Sequence, residues 1–193
     1  MEEKIRCAWC GNDPLYMEYH DTEWGTPVYD DQKLFEFLIL ETFQAGLSWI
    51  TVLKKRENFR AAFDNFDYRK VAKYSDEKIA ELMQNEGIIR NGMKIRAAVS
   101  NADAFMKVQK EFGSFSKYIW NFTGGKPIVN QRKTLSDIPA TTPLSDEISK
   151  DLKKRGFKFV GSTVMYAHMQ ATGMIDDHVE DCWRRTESSK ISS

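Results

Sequence analysis

Residues 34–45, LFEFLILETFQA, constrain the fold more than any other stretch. A helix that is apolar on nearly every side has to lie inside the protein, wrapped by other elements. Asp30 and Asp31 supply the acidic start that a helix prefers. The stretch GLSW after it breaks the pattern. Leu34, Phe37, Leu38, Glu41 and Ala45 share one face at helical spacing, so Glu41 sits on an apolar stripe, while Glu36 is free to face solvent. A charge on such a stripe is kept only with a partner. Two readings stay open. Glu41 is a helix-edge residue that snorkels or pairs with an arginine, or it is a pocket carboxylate that holds a cationic or hydrogen-bond-donating ligand.

The remainder also reads as helix. Ser48 is placed to cap WITVLKKRENFRAAF, and Ser75 to cap DEKIAELMQ. A long helix follows Asn91-Gly92, and FSKYIWNF forms a shorter one. Residues 123–143 carry three of the 5 prolines and a Gly-Gly pair and read as an extended connection. Helix resumes at LSDEISKDLKKR, ends at Gly156, and returns in STVMYAHMQATG, with IDDHVEDC as a final turn. Strand alternation and internal repeats are not evident. The fold class is all-α, with many short helices in two lobes. Residues 1–185 are expected to form one compact unit and 186–193 a disordered tail.

With 28 basic and 28 acidic residues the formal charge is zero, so attraction to nucleic acid must come from a local patch. The N-terminus is charged and lacks a secretory apolar core, and the stretch 34–40 is too short to span a bilayer. A soluble, intracellular protein without a membrane partner is expected. Three cysteines disfavour a closed disulfide framework.

The cysteines invite metal chemistry instead. Cys7 and His20 read C-x12-H, and His178 and Cys182 read H-x3-C, so a Cys2His2 zinc site is chemically complete. A Cys3His site from Cys7, Cys10, His178 and Cys182 is the rival, and three ordinary cysteines are the plain alternative. Either metal site would be structural and would clamp the two ends of the chain together. Aromatics surround Glu41 in sequence: Trp9, Tyr16, Tyr19, Trp24 and Trp49. Each alone reads as core. Together with a carboxylate they make a box for a flat, electron-poor ring. The run KDLKKRGFK at 150–158 is either a solvated helix end or a phosphate grip, with Lys153, Lys154, Arg155 and Lys158 as charges and Gly156 and Gly161 allowing close backbone approach.

Several stretches converge on one family. DPLYMEYHDTEWG (13–25), QAGLSWITVLKKRENFRAAF (44–63), GIIRNGMKI (87–95), LKKRGFKFVGSTVMYAHMQATG (152–173) and DHVEDC (177–182) resemble the 3-methyladenine DNA glycosylase I family of the helix-hairpin-helix glycosylase superfamily. The resemblance runs in order over roughly residues 5–185 and implies two helical lobes with a DNA-gripping hairpin at FKFVG. It implies hydrolytic removal of 3-methyladenine from double-stranded alkylated DNA in a bacterial cytoplasm, by a monomer without lyase activity. It also implies a structural zinc held by Cys7, His20, His178 and Cys182, with Cys10 a bystander. In the family's pattern Glu41 and Tyr19 are the polar groups that hold the base and act in catalysis. Tyr16 and Trp49 stack on it, and Trp9 and Trp24 wall the pocket. From their place after the Glu41 helix, Gly46 and Leu47 have two readings: a wedge for the gap left by a flipped nucleotide, or Leu47 packed internally. Asp177 is read as support for His178, and Asp176 falls near the superfamily's catalytic aspartate. A zinc-stabilised module that binds without cleaving and a glycosylase with a wider range, including 3-methylguanine, are the competing functions.

Overall fold

The computed structural model describes residues 4–44 and 46–185. The expectations for Ala45 and for the tail at 186–193 lie outside them. At the centre is α2 (Asp31–Gln44), in which every residue from Leu34 to Phe43 is buried. Asp30 starts it by accepting the Lys33 N–H at 2.8 Å. Around it lie α1 (Pro14–Thr22), α3 (Trp49–Lys54), α4 (Arg56–Ala62), α5 (Tyr68–Val71), α6 (Asp76–Gln84), α7 (Gly92–Phe112), α8 (Phe115–Asn121), α9 (Pro143–Lys154) and α10 (Ser162–Ala171). The caps follow local chemistry. Asp13, Ser75, Asn91, Ser114 and Thr142 each accept a first-turn N–H, and Gly113 closes α7 in the left-handed region at φ 86°.

Three details depart from the sequence reading. Ser48 does not cap through its side chain, and the helix expected from Trp49 onward breaks at Lys55 into α3 and α4. The break turns Arg56 inward, where its guanidinium pairs with Glu23 at 2.7 Å and Glu36 at 2.7 Å. Glu36 therefore does not face solvent: it is 6% exposed and also receives Arg60 at 2.8 Å. An arginine on a later helix has drawn it inward, which spacing along α2 alone does not reveal.

The third departure is a strand pair. In the connection at 123–143, β1 (Ile128–Val129) runs parallel to β2 (Ile175–Asp176), so a piece of sheet takes the place of the expected turn at IDDH. Two-residue strands leave no alternation to read. The pair fastens the long connection against the C-terminal segment. Just before it, Gly173 passes so close to Thr26 that an added Cβ would lie 2.3 Å from the Thr26 carbonyl carbon, and its φ of +67° excludes L side chains as well. This contact and the Val28 N–H to Thr172 bond at 3.0 Å tie the end of α10 to the loop after α1. No helix of the described residues is long and apolar enough to cross a membrane.

Candidate functional site

One turn of α2 carries Glu41 to the floor of a pocket of about 330 Å3. Trp9, Tyr16, Tyr19, Trp24 and Trp49 line it, with Gln44, Leu135, Ile138, Ala167 and Gln170. All five aromatics named from sequence thus meet around the carboxylate. Their rings interlock: Trp9 lies 4.9 Å from Tyr16 and 5.0 Å from Trp24, both edge-on, and Tyr19 lies 5.6 Å from Trp49. Edge contacts of this kind fix a wall rather than fill the cavity. Leu135, Ile138, Ala167 and Gln170 were not foreseen. They come from the long connection and from α10, and only the tertiary fold brings them to the pocket.

Glu41 has no arginine. It is 4% exposed, its Oε2 is buried without a hydrogen-bond partner, and burial pushes its carboxyl from 4.5 to about 8. The helix-edge reading is excluded. Tyr19 is buried beside it, and burial followed by the nearby Glu41 charge pushes its phenol well up. Burial likewise raises Tyr16, to about 12. Both tyrosines are neutral hydroxyls at physiological pH. The indole Nε1 atoms of Trp9 and Trp49 are buried without partners. Orphaned polar atoms concentrated in one pocket mark a place for a ligand that completes them.

Behind the Trp9–Trp24 wall lies a second cluster. The ligand atoms of Cys7, His20 and Cys182 fall within 4.8 Å of one another, all buried, and this group can hold a metal ion. It joins the N-terminal and C-terminal segments. The Cys182 sulfur is held below its ordinary value by a hydrogen bond from the Cys7 thiol, against burial and with help from His20, while Cys7 is pushed up. His178 is buried alongside, its ring centroid 5.1 Å from that of His20 and its Nε2 unpartnered. Each histidine has Nδ1 on a carboxylate: His20 on Asp21 at 2.9 Å and His178 on Asp176 at 2.7 Å. Such a bond keeps the proton on Nδ1 and leaves the Nε2 lone pair for a metal. Gly25 makes room, because a Cβ there would lie 2.7 Å from His178 Cε1. Cys10 is buried but outside the group, its Sγ directed to the Gly11 carbonyl at 3.8 Å.

The assignment of Asp177 to His178 is corrected. Side chains alternate along β2 and its extension, so Asp176 and His178 share one side and Asp177 faces the other. There Asp177 accepts from Asn130, Arg132, Tyr166 and Gln170.

The α9–α10 hairpin exposes Lys153, Lys154 and Lys158 around Gly156 and Gly161. Asn101 of α7 anchors it, accepting the Lys158 N–H at 2.8 Å and donating to the Lys158 carbonyl at 3.0 Å. A cleft of about 570 Å3 lined by Asp146, Ser149, Lys150, Lys153, Lys154 and Ser162 opens beside it. Arg155 turns away, paired with Glu111 and Asp151 at 2.7 Å each. Leu47 is 40% exposed beside Gly46, between the pocket residues Gln44 and Trp49.

An aromatic box floored by one unpaired carboxyl, in a helical fold with a lysine-bearing hairpin, defines a protein that receives a flat heteroaromatic ring. Residues 9–185 match the family model described as methyladenine glycosylase. DNA-3-methyladenine glycosylase 1 of Escherichia coli (strain K12) is 52% identical over 177 residues, which cover 92% of this chain and 95% of that protein. A crystal structure of 3-methyladenine DNA glycosylase I is 51% identical and superposes with a TM-score of 0.90, covering 93% of this chain and 98% of the other. A variant of 3-methyladenine DNA glycosylase I crystallised in complex with 3-methyladenine is 39% identical, with a TM-score of 0.91 over 93% and 97% of the two chains. The chain belongs to the methyladenine glycosylase family.

Proposed function

We propose that this chain removes 3-methyladenine from alkylated double-stranded DNA by hydrolysing the N-glycosidic bond, which leaves an abasic site for base excision repair. One observation carries the reading. Glu41 is an unpaired carboxyl at the floor of an aromatic pocket, in a chain of this family.

Methylation at N3 makes the purine cationic within the nucleotide, so its bond to the sugar is weak and the base leaves as a neutral molecule. The enzyme's task is to extract the nucleotide, hold the base and admit water. Electron-rich ring faces favour the cation and the flat product alike. A Glu41 carboxyl raised to about 8 is mostly protonated at neutral pH. It then offers one donor and one acceptor, the complement of adenine N7 and the exocyclic N6 amine. A 7-methylguanine presents a methyl and a carbonyl on that edge and leaves the Glu41 acceptor unmatched. Tyr19 adds a second hydroxyl contact, and Tyr16, Trp9, Trp24 and Trp49 enclose the ring.

The metal group takes a structural zinc, with Cys7, His20, Cys182 and His178 as its four ligands. Two thiolates and two imidazoles suit zinc and fill its coordination, so the ion clamps the chain ends and leaves no open position for chemistry. Lys153, Lys154 and Lys158 neutralise phosphates at the hairpin, where Gly156 and Gly161 let the DNA backbone approach. Arg155, already paired with two carboxylates, contributes less than its position in the basic run suggests. Gly46 and Leu47 enter the gap left by the flipped nucleotide.

Chromatography of base released from methylated duplex DNA tests the function. Wild type is expected to release 3-methyladenine and spare 7-methylguanine, and Glu41→Gln to release the former more slowly. No release from a folded, zinc-loaded sample would leave a binding module instead.

A further inference from the structure

Glu41 accounts for the base edge, but the family reading assigns no group to the water that replaces the base. The superfamily's aspartate position does not supply one. Asp177 is 1% exposed, and its two oxygens are saturated: Oδ1 accepts from Asn130 Nδ2 at 2.8 Å and Arg132 Nε at 2.8 Å, and Oδ2 from the Tyr166 hydroxyl and from Gln170 Nε2 at 3.0 Å. Asp176 is turned to His178.

The last of those bonds has a directional consequence. An ionised carboxylate only accepts, so the amide nitrogen of Gln170 must face Asp177 and the carbonyl oxygen must face away. Gln170 lines the base pocket from α10, the helix that follows the hairpin, and it is half-buried whereas Glu41 is at the floor. Its neighbours on that wall, Leu135, Ile138 and Ala167, are apolar. The pocket wall thus carries an amide whose nitrogen is held by Asp177 and whose carbonyl oxygen is left as an acceptor on the side away from it. Arg132 and Asn130 belong to the same long connection that places Leu135 and Ile138 in the pocket, so one carboxylate sets both the amide and that wall.

We infer that Gln170, oriented by Asp177, is the catalytic residue that holds the attacking water at the pocket mouth, where the sugar of the flipped nucleotide lies. This rests on the glycosylase reading above. The water donates one hydrogen bond to Gln170 Oε1, and its oxygen bonds to C1′ as the C1′–N9 bond breaks. That bond's electron pair leaves with the base, which departs as neutral 3-methyladenine. An amide is too weak a base to keep the proton, which passes to solvent. Asp177 is a positioning residue: it fixes the amide without touching the reacting atoms.

The test compares wild type with Gln170→Met, which keeps volume but removes the acceptor, and with Gln170→Ala. Single-turnover release of 3-methyladenine from duplex DNA is measured beside the affinity for free 3-methyladenine, read from tryptophan fluorescence. The expected result is a rate roughly 10- to 100-fold lower in both variants with the base affinity unchanged. An unchanged rate in a folded variant would overturn the role of Gln170 while leaving the glycosylase reading intact. A parallel loss of base affinity would make Gln170 a base contact and overturn the proposal equally. Absence of release from wild type would instead overturn the reading beneath it.

Discussion

Asp176 Oδ1 lies 2.7 Å from His178 Nδ1 and also accepts the His178 backbone N–H at 3.0 Å. One carboxylate oxygen thereby fixes both the position of the imidazole and its tautomer. Replacing Asp176 with Ala frees the ring to rotate. Metal affinity is expected to fall about 10- to 100-fold, measured by competition with a chelator. Asp177→Ala does not touch His178 and is expected to leave that affinity unchanged, which separates the two adjacent aspartates.

Glu41 links pH to stability. In the unfolded chain it ionises near 4.5, and in the folded protein near 8. Between these values folding takes up a proton, so this residue's contribution makes the protein less stable as pH rises through the window. Glu41→Gln removes the ionisable group. Thermal melts are expected to show little difference from wild type at pH 4.5 and a growing advantage for the variant up to pH 8, worth several degrees. A constant offset across that range would refute the shift.

The carboxyl pair on Arg56 was invisible to local pattern. Leu34 to Phe43 announce a central helix because hydrophobicity recurs on every side, and the pocket aromatics are marked by residue type and by the family resemblance. Glu36, by contrast, is buried by an arginine 20 residues away. Leu135 and Ile138 reach the pocket through a connection whose sheet is two residues long, and Gln170 reaches it from α10. Helices and most of their caps were legible because their signals are local, and the pocket's aromatic half because the family resemblance marks it. The other half depends on long-range pairing, for which one sequence has no periodic signature.

Arg56→Ala would remove the arginine that Glu23 and the 6% exposed Glu36 share, leaving Glu23 with Lys33. Lys33 and Arg60 still reach Glu36, so the cost is placed at the low end for a broken buried pair, about 3 kcal/mol. The melting temperature is expected to drop by about 6–12 °C. Base release at low temperature, where the variant remains folded, should be retained.

On the proposed function, the hairpin lysines bind DNA without touching the base. Lys153→Ala combined with Lys154→Ala is expected to weaken duplex binding and to flatten the dependence of log affinity on log salt by about 2. Affinity for free 3-methyladenine should stay at the wild-type value. An unaltered salt slope would place the phosphate contacts elsewhere.

The Trp9–Trp24 wall leans on His20 and His178, with Trp24 4.7 Å from the His178 ring and Trp9 5.3 Å from the His20 ring. One side of the pocket is therefore braced by two segments that lie far apart in sequence, one bearing His20 and the other His178. Without His178, Trp24 would lose the ring packed against its edge, while Trp9 would keep Tyr16 and His20.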